Sequence, residues 1–184
     1  AARYPSVRIT GVEIQQGAAE IFAENIRLNG IGDRAEAVNA DLRELRGVIA
    51  GNSFDLVVCN PPYNRSGSGI LPSCHSAKIA RSDHVASIGD ICASAFRLLK
   101  SGGELAIVCR ADRLSDIIYD MRSAKLEPKR LRFVQHDPDS PPSLILISGR
   151  KSGNPGLTVE KPLIMYHGCC QTEEFANIYH GGTI

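Results

Sequence analysis

Residues 54–64 read FDLVVCNPPYN, an apolar run that leads straight into Asn60-Pro61-Pro62-Tyr63. Two adjacent prolines hold φ near about −65° and donate no N–H, so neither a helix nor a strand ladder continues through them. The turn is stiff, and it presents Asn60 and Tyr63 at a set angle. It offers two hydrogen-bond acceptors side by side, the Asn60 side-chain oxygen and the Pro61 carbonyl, the latter with no N–H of its own. Such a pair suits the two hydrogens of an amine, and Tyr63 adds a flat face for stacking. Two more polar residues hold comparable places: Glu13 near the end of VRITGVEI (7–14) and Asp41 at the end of AEAVNAD (35–41). In open α/β sheets ligands sit beyond the carboxyl ends of the strands, so polar groups at that end of three successive strands point to a ligand crevice.

The elements that must position these residues alternate. VRITGVEI reads as a strand, and QGAAEIFAENIRLNG (16–30) as a helix with Ala18, Phe22, Ile26 and Asn29 on one stripe and Gly30 as its stop. AEAVNAD is a short strand, and FDLVVC (54–59) a short buried one. SIGDICASAFRLLKSGG predicts a helix through Lys100 broken by Gly102 and Gly103, followed by the strand ELAIVC (104–109). RLSDIIYDMRSAKLEP predicts a helix stopped at Pro128, then KRLRFVQH and PSLILISGR two strands joined through DPDSPP. The order implies a doubly wound, mostly parallel α/β sheet closed by an antiparallel pair. Beyond residue 151, LTVEKPLIMY reads as a strand and TEEFANIY as a helix capped by Thr172 and ended by Gly181, with no chemistry assigned to either.

Bulk properties narrow the class. At 184 residues the chain has room for one domain with a sizeable core. It is 43% hydrophobic and 22% charged, the mix of a soluble globular protein. No apolar run approaches the ~20 residues that span a bilayer, which predicts a cytoplasmic location without membrane attachment. The six cysteines, Cys59, Cys74, Cys92, Cys109, Cys169 and Cys170, form no C-x-x-C pair, so neither a metal site nor a disulfide is expected. A net charge of +1 argues against a whole-surface nucleic-acid binder but leaves room for a basic patch.

With NPPY at a strand end, the chain resembles the class I S-adenosylmethionine-dependent methyltransferases that act on amino groups, whose signature is Asn-Pro-Pro-Tyr after the fourth strand. RLLKSGGELAIV (97–108) looks like that family's helix, glycine turn and fifth strand. KLEPKRLRFV followed by LILISGRKSG is similar to one subgroup, the bacterial tRNA (adenine-N6)-methyltransferases acting on valine tRNA. The resemblance implies a Rossmann-like sheet, S-adenosylmethionine as cofactor and tRNA as partner. It assigns the cofactor ribose to Glu13, with Ile14 beside it, and the cofactor adenine to Asp41 and the Leu42 backbone. Asn60, Pro61, Pro62 and Tyr63 become the catalytic motif, Asn60 also adjoining the cofactor. The family's first strand and Gly-x-Gly turn have no counterpart here, since Gly67-Ser68-Gly69 follows NPPY and opens no helix. Residues 1–151 are thus expected to be an N-terminally incomplete methyltransferase domain, open in the middle of its sheet, with 152–184 as an extension of it.

The substrate is read from cations. The polar segment 64–84 is longer than a routine strand–helix connection and carries Arg65, His75, Lys78, Arg81 and His84, the pattern of either a solvated polar loop or a lid over RNA phosphates. Lys125, Lys129, Arg130, Arg132, Arg150 and Lys151 form a later basic group, with Arg130 and Arg132 on one strand face. Arg81, Lys129, Arg130 and Arg132 are the candidate phosphate contacts. The same motif also serves release-factor glutamine methylation, ribosomal RNA guanine methylation and DNA adenine methylation, and a silent RNA-binding module is the alternative outside enzymes.

Overall fold

The computed structural model describes residues 4–61 and 86–180. The chain divides into two compact units, Ala1–Ala50 and Gly51–Ile184.

In the first unit, β1 (Ile9–Glu13) pairs in parallel with β2 (Ala35–Asn39), and α1 (Gln16–Leu28) connects them. Gly11 lets α1 pack close: a Cβ there would stand 2.0 Å from the Phe22 ring. The helix buries Ala19 and Ile26 and half-buries Phe22, so Phe22 and Ile26 face inward as expected while Ala19 is buried in place of Ala18, which is exposed. Asn29 and Gly30, the latter at φ 62, end it through bonds to Asn25 O and Arg27 O. β2 stops at Asn39, and Asp41 then caps a short 3-10 turn over Leu42–Glu44.

The second unit is built on a six-stranded sheet. β3 (Phe54–Cys59) and β4 (Leu99–Arg110) run parallel, and β5 (Leu126–Gln135) and β6 (Leu144–Lys151) complete the order β3-β4-β6-β5, with β6 antiparallel to both neighbours. The short β7 (Thr158–Val159) and β8 (Leu163–Ile164) add to β5 in parallel. One face is covered by α2 (Ile88–Leu98) and α3 (Leu114–Ser123), which bury Ile91, Cys92, Ala95, Ile117 and Met121 alongside Leu105, Ile107, Ile145 and Ile147. Ser87 and Asp90 close a reciprocal capping box at the start of α2. A hairpin, β9 (Tyr166–His167) with β10 (Cys170–Gln171), leads into α4 (Glu173–His180), whose first turn is capped by the Thr172 hydroxyl. No helix among the described residues is long and apolar enough to cross a membrane.

Two helix ends and the burial of β3 differ from the sequence reading. The helix expected through Lys100 ends at Leu98, because Leu99 already pairs with Phe54 and the ladder resumes at Leu56 and Glu104 after a register shift that holds Gly102 at φ 77. The helix expected to stop at Pro128 stops at Ser123: Lys125, at φ 59, redirects the chain, and Pro128 lies in β5 beside a register shift, where a missing N–H does least harm. β3 is not wholly buried. It pairs only with β4 among the described strands, and Leu56 and Val58 are 55% and 71% exposed on the face away from α2. The sheet is also divided, β1 and β2 forming a ladder separate from that of β3–β8.

Two contacts make this packing testable. A Cβ on Gly149 of β6 would come within 2.3 Å of the Met121 Cε and 3.1 Å of the Glu127 carbonyl oxygen, and Met121 is fully buried. Gly149→Ala is expected to destabilise the protein by about 1–3 kcal/mol in denaturant unfolding, and an unchanged midpoint would mean that Met121 yields freely. Lys151 of the same strand donates to the Asn52 side-chain oxygen at 2.7 Å and the Leu99 carbonyl at 2.8 Å while its ammonium lies 4.4 Å from the centre of the Phe96 ring. It locks the turn before β3 to the start of β4. Lys151→Met keeps the stem and removes the charge, and a loss of about 2 kcal/mol is expected by the same measurement.

Candidate active site

In the first unit, parallel pairing of β1 with β2 sets Glu13 opposite Asn39 at the carboxyl end of the ladder. The Asn39 side-chain amide donates to the Glu13 and Ile14 carbonyl oxygens, at 2.8 and 3.1 Å, tying the chain beyond β1 to the end of β2. Glu13 is half-buried and its Oε1 accepts from the Gln15 N–H at 2.8 Å. A carboxylate has about four acceptor positions, so among the described residues most of this one is left for further donors. Asp41 is committed differently. It accepts the Arg43 N–H at 2.9 Å and pairs with the Arg43 guanidinium at 2.5 Å, as the cap of its own turn. Ile14 is 49% exposed, and Leu42 is half-buried as the first residue of that turn.

In the second unit, Asn60 follows β3 directly and is exposed, while Pro61 beside it is buried. A buried proline next to an exposed amide anchors the backbone on one side and leaves the side chain open on the other. The register builds a surface next to it. Val58, Ala106, Ser148 and Arg130 stand in one row across the sheet, and Val108, Leu146 and Arg132 form the next row, level with Asn60. These residues line an open cavity of about 520 Å³ together with Glu160. Asn60 and two of the four candidate phosphate contacts thus share one concave surface.

Those cations already have partners. Arg130 donates to the Glu160 carboxylate at 2.5 Å, and its guanidinium holds that carboxyl below the usual range. Arg132 pairs with Glu174 at 2.7 Å and donates to the Lys161 carbonyl at 2.9 Å. Lys129 donates to the Asn154 and Gly156 carbonyls and is not on the cavity wall. Glu160 and Glu174, which sequence reasoning missed as neighbours, lie 30 and 42 residues from the arginines they hold, and no local pattern signals such pairs. Pro62, Tyr63, Arg81 and the rest of the 64–84 segment lie outside the described residues.

Burial pushes the Cys59 thiol up, and it raises Cys92 to about 12 and Cys109 to about 11, so each of the three favours its neutral thiol form at neutral pH. Among the described residues, no group of three His, Cys, Asp or Glu side chains is placed to hold a metal ion.

Residues 1–118 match the family model of the Methyltransferase small domain. The chain belongs to this family. It is 30% identical over 152 residues, 82% of its length, to a tRNA1(Val) (adenine(37)-N6)-methyltransferase of Porphyromonas gingivalis, and 31% identical over 144 residues, 78% of its length, to the protein of that name in Bacteroides fragilis. It spans 59% and 60% of those two proteins, about three fifths of each. Its fold is that of a crystal structure described as a predicted O-methyltransferase from Agrobacterium tumefaciens, with a TM-score of 0.80 at 21% identity over all of this chain and 82% of that one.

Proposed function

We propose that this methyltransferase small domain transfers a methyl group from S-adenosylmethionine to the exocyclic N6 amine of an adenine in tRNA, in the cytoplasm. The observation that carries the proposal is the Asn60–Pro61 step directly after β3, with the amide exposed and the proline buried. The names of the two relatives supply the substrate class.

An exocyclic amine on an aromatic ring is a poor nucleophile because its lone pair is delocalised into the ring. The Asn60 side-chain oxygen and the Pro61 carbonyl would accept its two N–H hydrogens, localise the lone pair and turn it toward the reacting methyl. The residues present fit the cofactor: Glu13 has unused acceptor positions at the end of β1, the chemistry a ribose diol requires, and Asn39 fixes its backbone. S-adenosylmethionine supplies an electrophilic sulfonium methyl. The protein's own contribution is positioning, for which about 7–11 kcal/mol is the ceiling. Asp41 would reach the cofactor adenine only by loosening its pair with Arg43. An adenine in a tRNA loop suits such a site because flipping it out costs only a few kcal/mol of unstacking.

The test is to incubate the protein with methyl-labelled cofactor and, separately, bulk tRNA, duplex DNA and a release-factor domain. Label in tRNA is expected. Label in the release-factor domain alone would replace this reading with glutamine methylation.

A further inference from the structure

On the reading of this chain as an RNA methyltransferase, we propose that Arg110 holds the backbone phosphate of the nucleotide whose base enters the Asn60 site. β3 and β4 run parallel, so their carboxyl ends share one edge of the sheet, and Arg110 is the last residue of β4. The last paired step, Cys59 with Ile107, sets Asn60 level with Val108. Arg110 stands two residues further along the neighbouring strand. At about 3.3 Å per residue and about 4.8 Å between strands, its Cα lies roughly 8 Å from that of Asn60, a spacing that one nucleotide bridges from its base to its phosphate. Alternation along the strand sets its face. Leu105, Ile107 and Cys109 are buried, whereas Ala106 and Val108 alternate with them on the cavity side, and Arg110 continues that second row.

Availability separates Arg110 from the other arginines of this surface. Arg130 and Arg132 stand on β5, three strands from β3, and are tied to Glu160 at 2.5 Å and to Glu174 at 2.7 Å. Arg113 is tied to Asp116 at 2.8 Å, with its side chain only 24% exposed. The Arg110 side chain is 57% exposed and meets Asp112 through Nε and Nη2 at 3.3 and 3.2 Å, longer than the ~2.7–2.9 Å of a tight charge-assisted pair.

A guanidinium presents its donors as a planar fork. Asp112 takes the Nε edge of that fork, and among the described residues the Nη1 donors are left for a ligand. The carboxylate thus orients the fork on the rim, and its open side fits an acceptor that offers two oxygens and a negative charge. An RNA phosphate has both; an uncharged amide side chain has neither. The contact carries no sequence information. It sets the nucleotide in position, so that the base arrives in register for Asn60 and Pro61 to engage its amine.

The experiment compares tRNA binding without cofactor, KM and kcat for tRNA, and S-adenosylmethionine affinity in the wild type, Arg110→Ala, Arg110→Lys and Arg122→Ala. Arg122 supplies the control: its side chain is 63% exposed, in the last turn of α3, where the chain leads into the amino end of β5. Arg110→Ala is expected to weaken tRNA binding and raise KM by roughly 5- to 30-fold, with kcat within about threefold of the wild type. The slope of log Kd against log salt falls by about 0.7–0.9, the share of one phosphate, while cofactor affinity and thermal midpoint are unchanged. Arg110→Lys keeps the point charge and loses the fork, so the salt slope returns and KM recovers only in part. Arg122→Ala leaves KM as in the wild type. Wild-type tRNA binding in Arg110→Ala overturns the contact. So does an equal loss in Arg122→Ala, which would make the effect one of net charge, or a loss of cofactor affinity in Arg110→Ala, which would assign the fork to the cofactor carboxylate. Wild-type protein that methylates only a release-factor domain and binds no tRNA refutes adenine methylation and this contact together, whereas tRNA methylation untouched by Arg110→Ala refutes the contact alone.

Discussion

Asn60→Ala is expected to lower turnover about 100- to 1,000-fold while S-adenosylmethionine affinity stays within a few-fold of the wild type. The magnitude is that of deleting one preorganised hydrogen-bonding group aimed at charge developing in a transition state. As the amine attacks, its nitrogen gains positive charge and its hydrogens become better donors, so an acceptor held on a rigid turn is worth more in the transition state than in the ground state. The rigidity is visible: Asn60 leaves a six-residue strand, and the buried Pro61 pins the next peptide. Alanine removes the oxygen and leaves that backbone in place, so the substitution isolates the contact. Asn60→Asp keeps an acceptor and is expected to lose less. Steady-state kinetics with tRNA and calorimetry with the cofactor check both halves, and wild-type turnover in Asn60→Ala would remove this residue from the chemistry.

Glu13→Ala is expected to weaken S-adenosylmethionine binding about 10- to 100-fold, the loss of charge-assisted hydrogen bonds worth about 1.5–3 kcal/mol each. Glu13 is half-buried at the end of β1, with Gln15 N–H on one oxygen and its backbone clamped by Asn39. Little ordering is left to be done when a diol arrives. Its removal also frees the Gln15 N–H to solvent, where water replaces the lost acceptor, so the fold is expected to change little. Calorimetry at matched thermal midpoints separates the two effects. Unchanged affinity would return Glu13 to a role in its own loop.

The order of elements was legible because each carries a local signal: alternation in β1 and β2, the helical stripe of α1, the prolines after β3, the paired strands β5 and β6. Boundaries failed where a nonlocal contact overrode the local one. Leu99 reads as helix but pairs with Phe54, and Pro128 reads as a helix stop but sits in β5, because Lys125 takes a positive φ that its side chain does not advertise. β3 reads as buried from its composition, yet burial depends on what covers it, and Leu56 and Val58 are largely exposed. At the candidate site, Glu13 and Asn60 were picked out by their places at strand ends, whereas Asp41, read as a strand end, lies two residues past β2 as the cap of its own turn. The counter-charges Glu160 and Glu174 were not, since they reach Arg130 and Arg132 from elements of the tail.

The central claim is the identity of the methylated atom. After incubation with tRNA and methyl-labelled cofactor, the RNA is digested to nucleosides and analysed by mass spectrometry. N6-methyladenosine is expected as the sole labelled nucleoside. Label on a ring nitrogen, on a ribose oxygen or on guanosine would contradict the assignment of Asn60 and Pro61 as acceptors for an adenine amine.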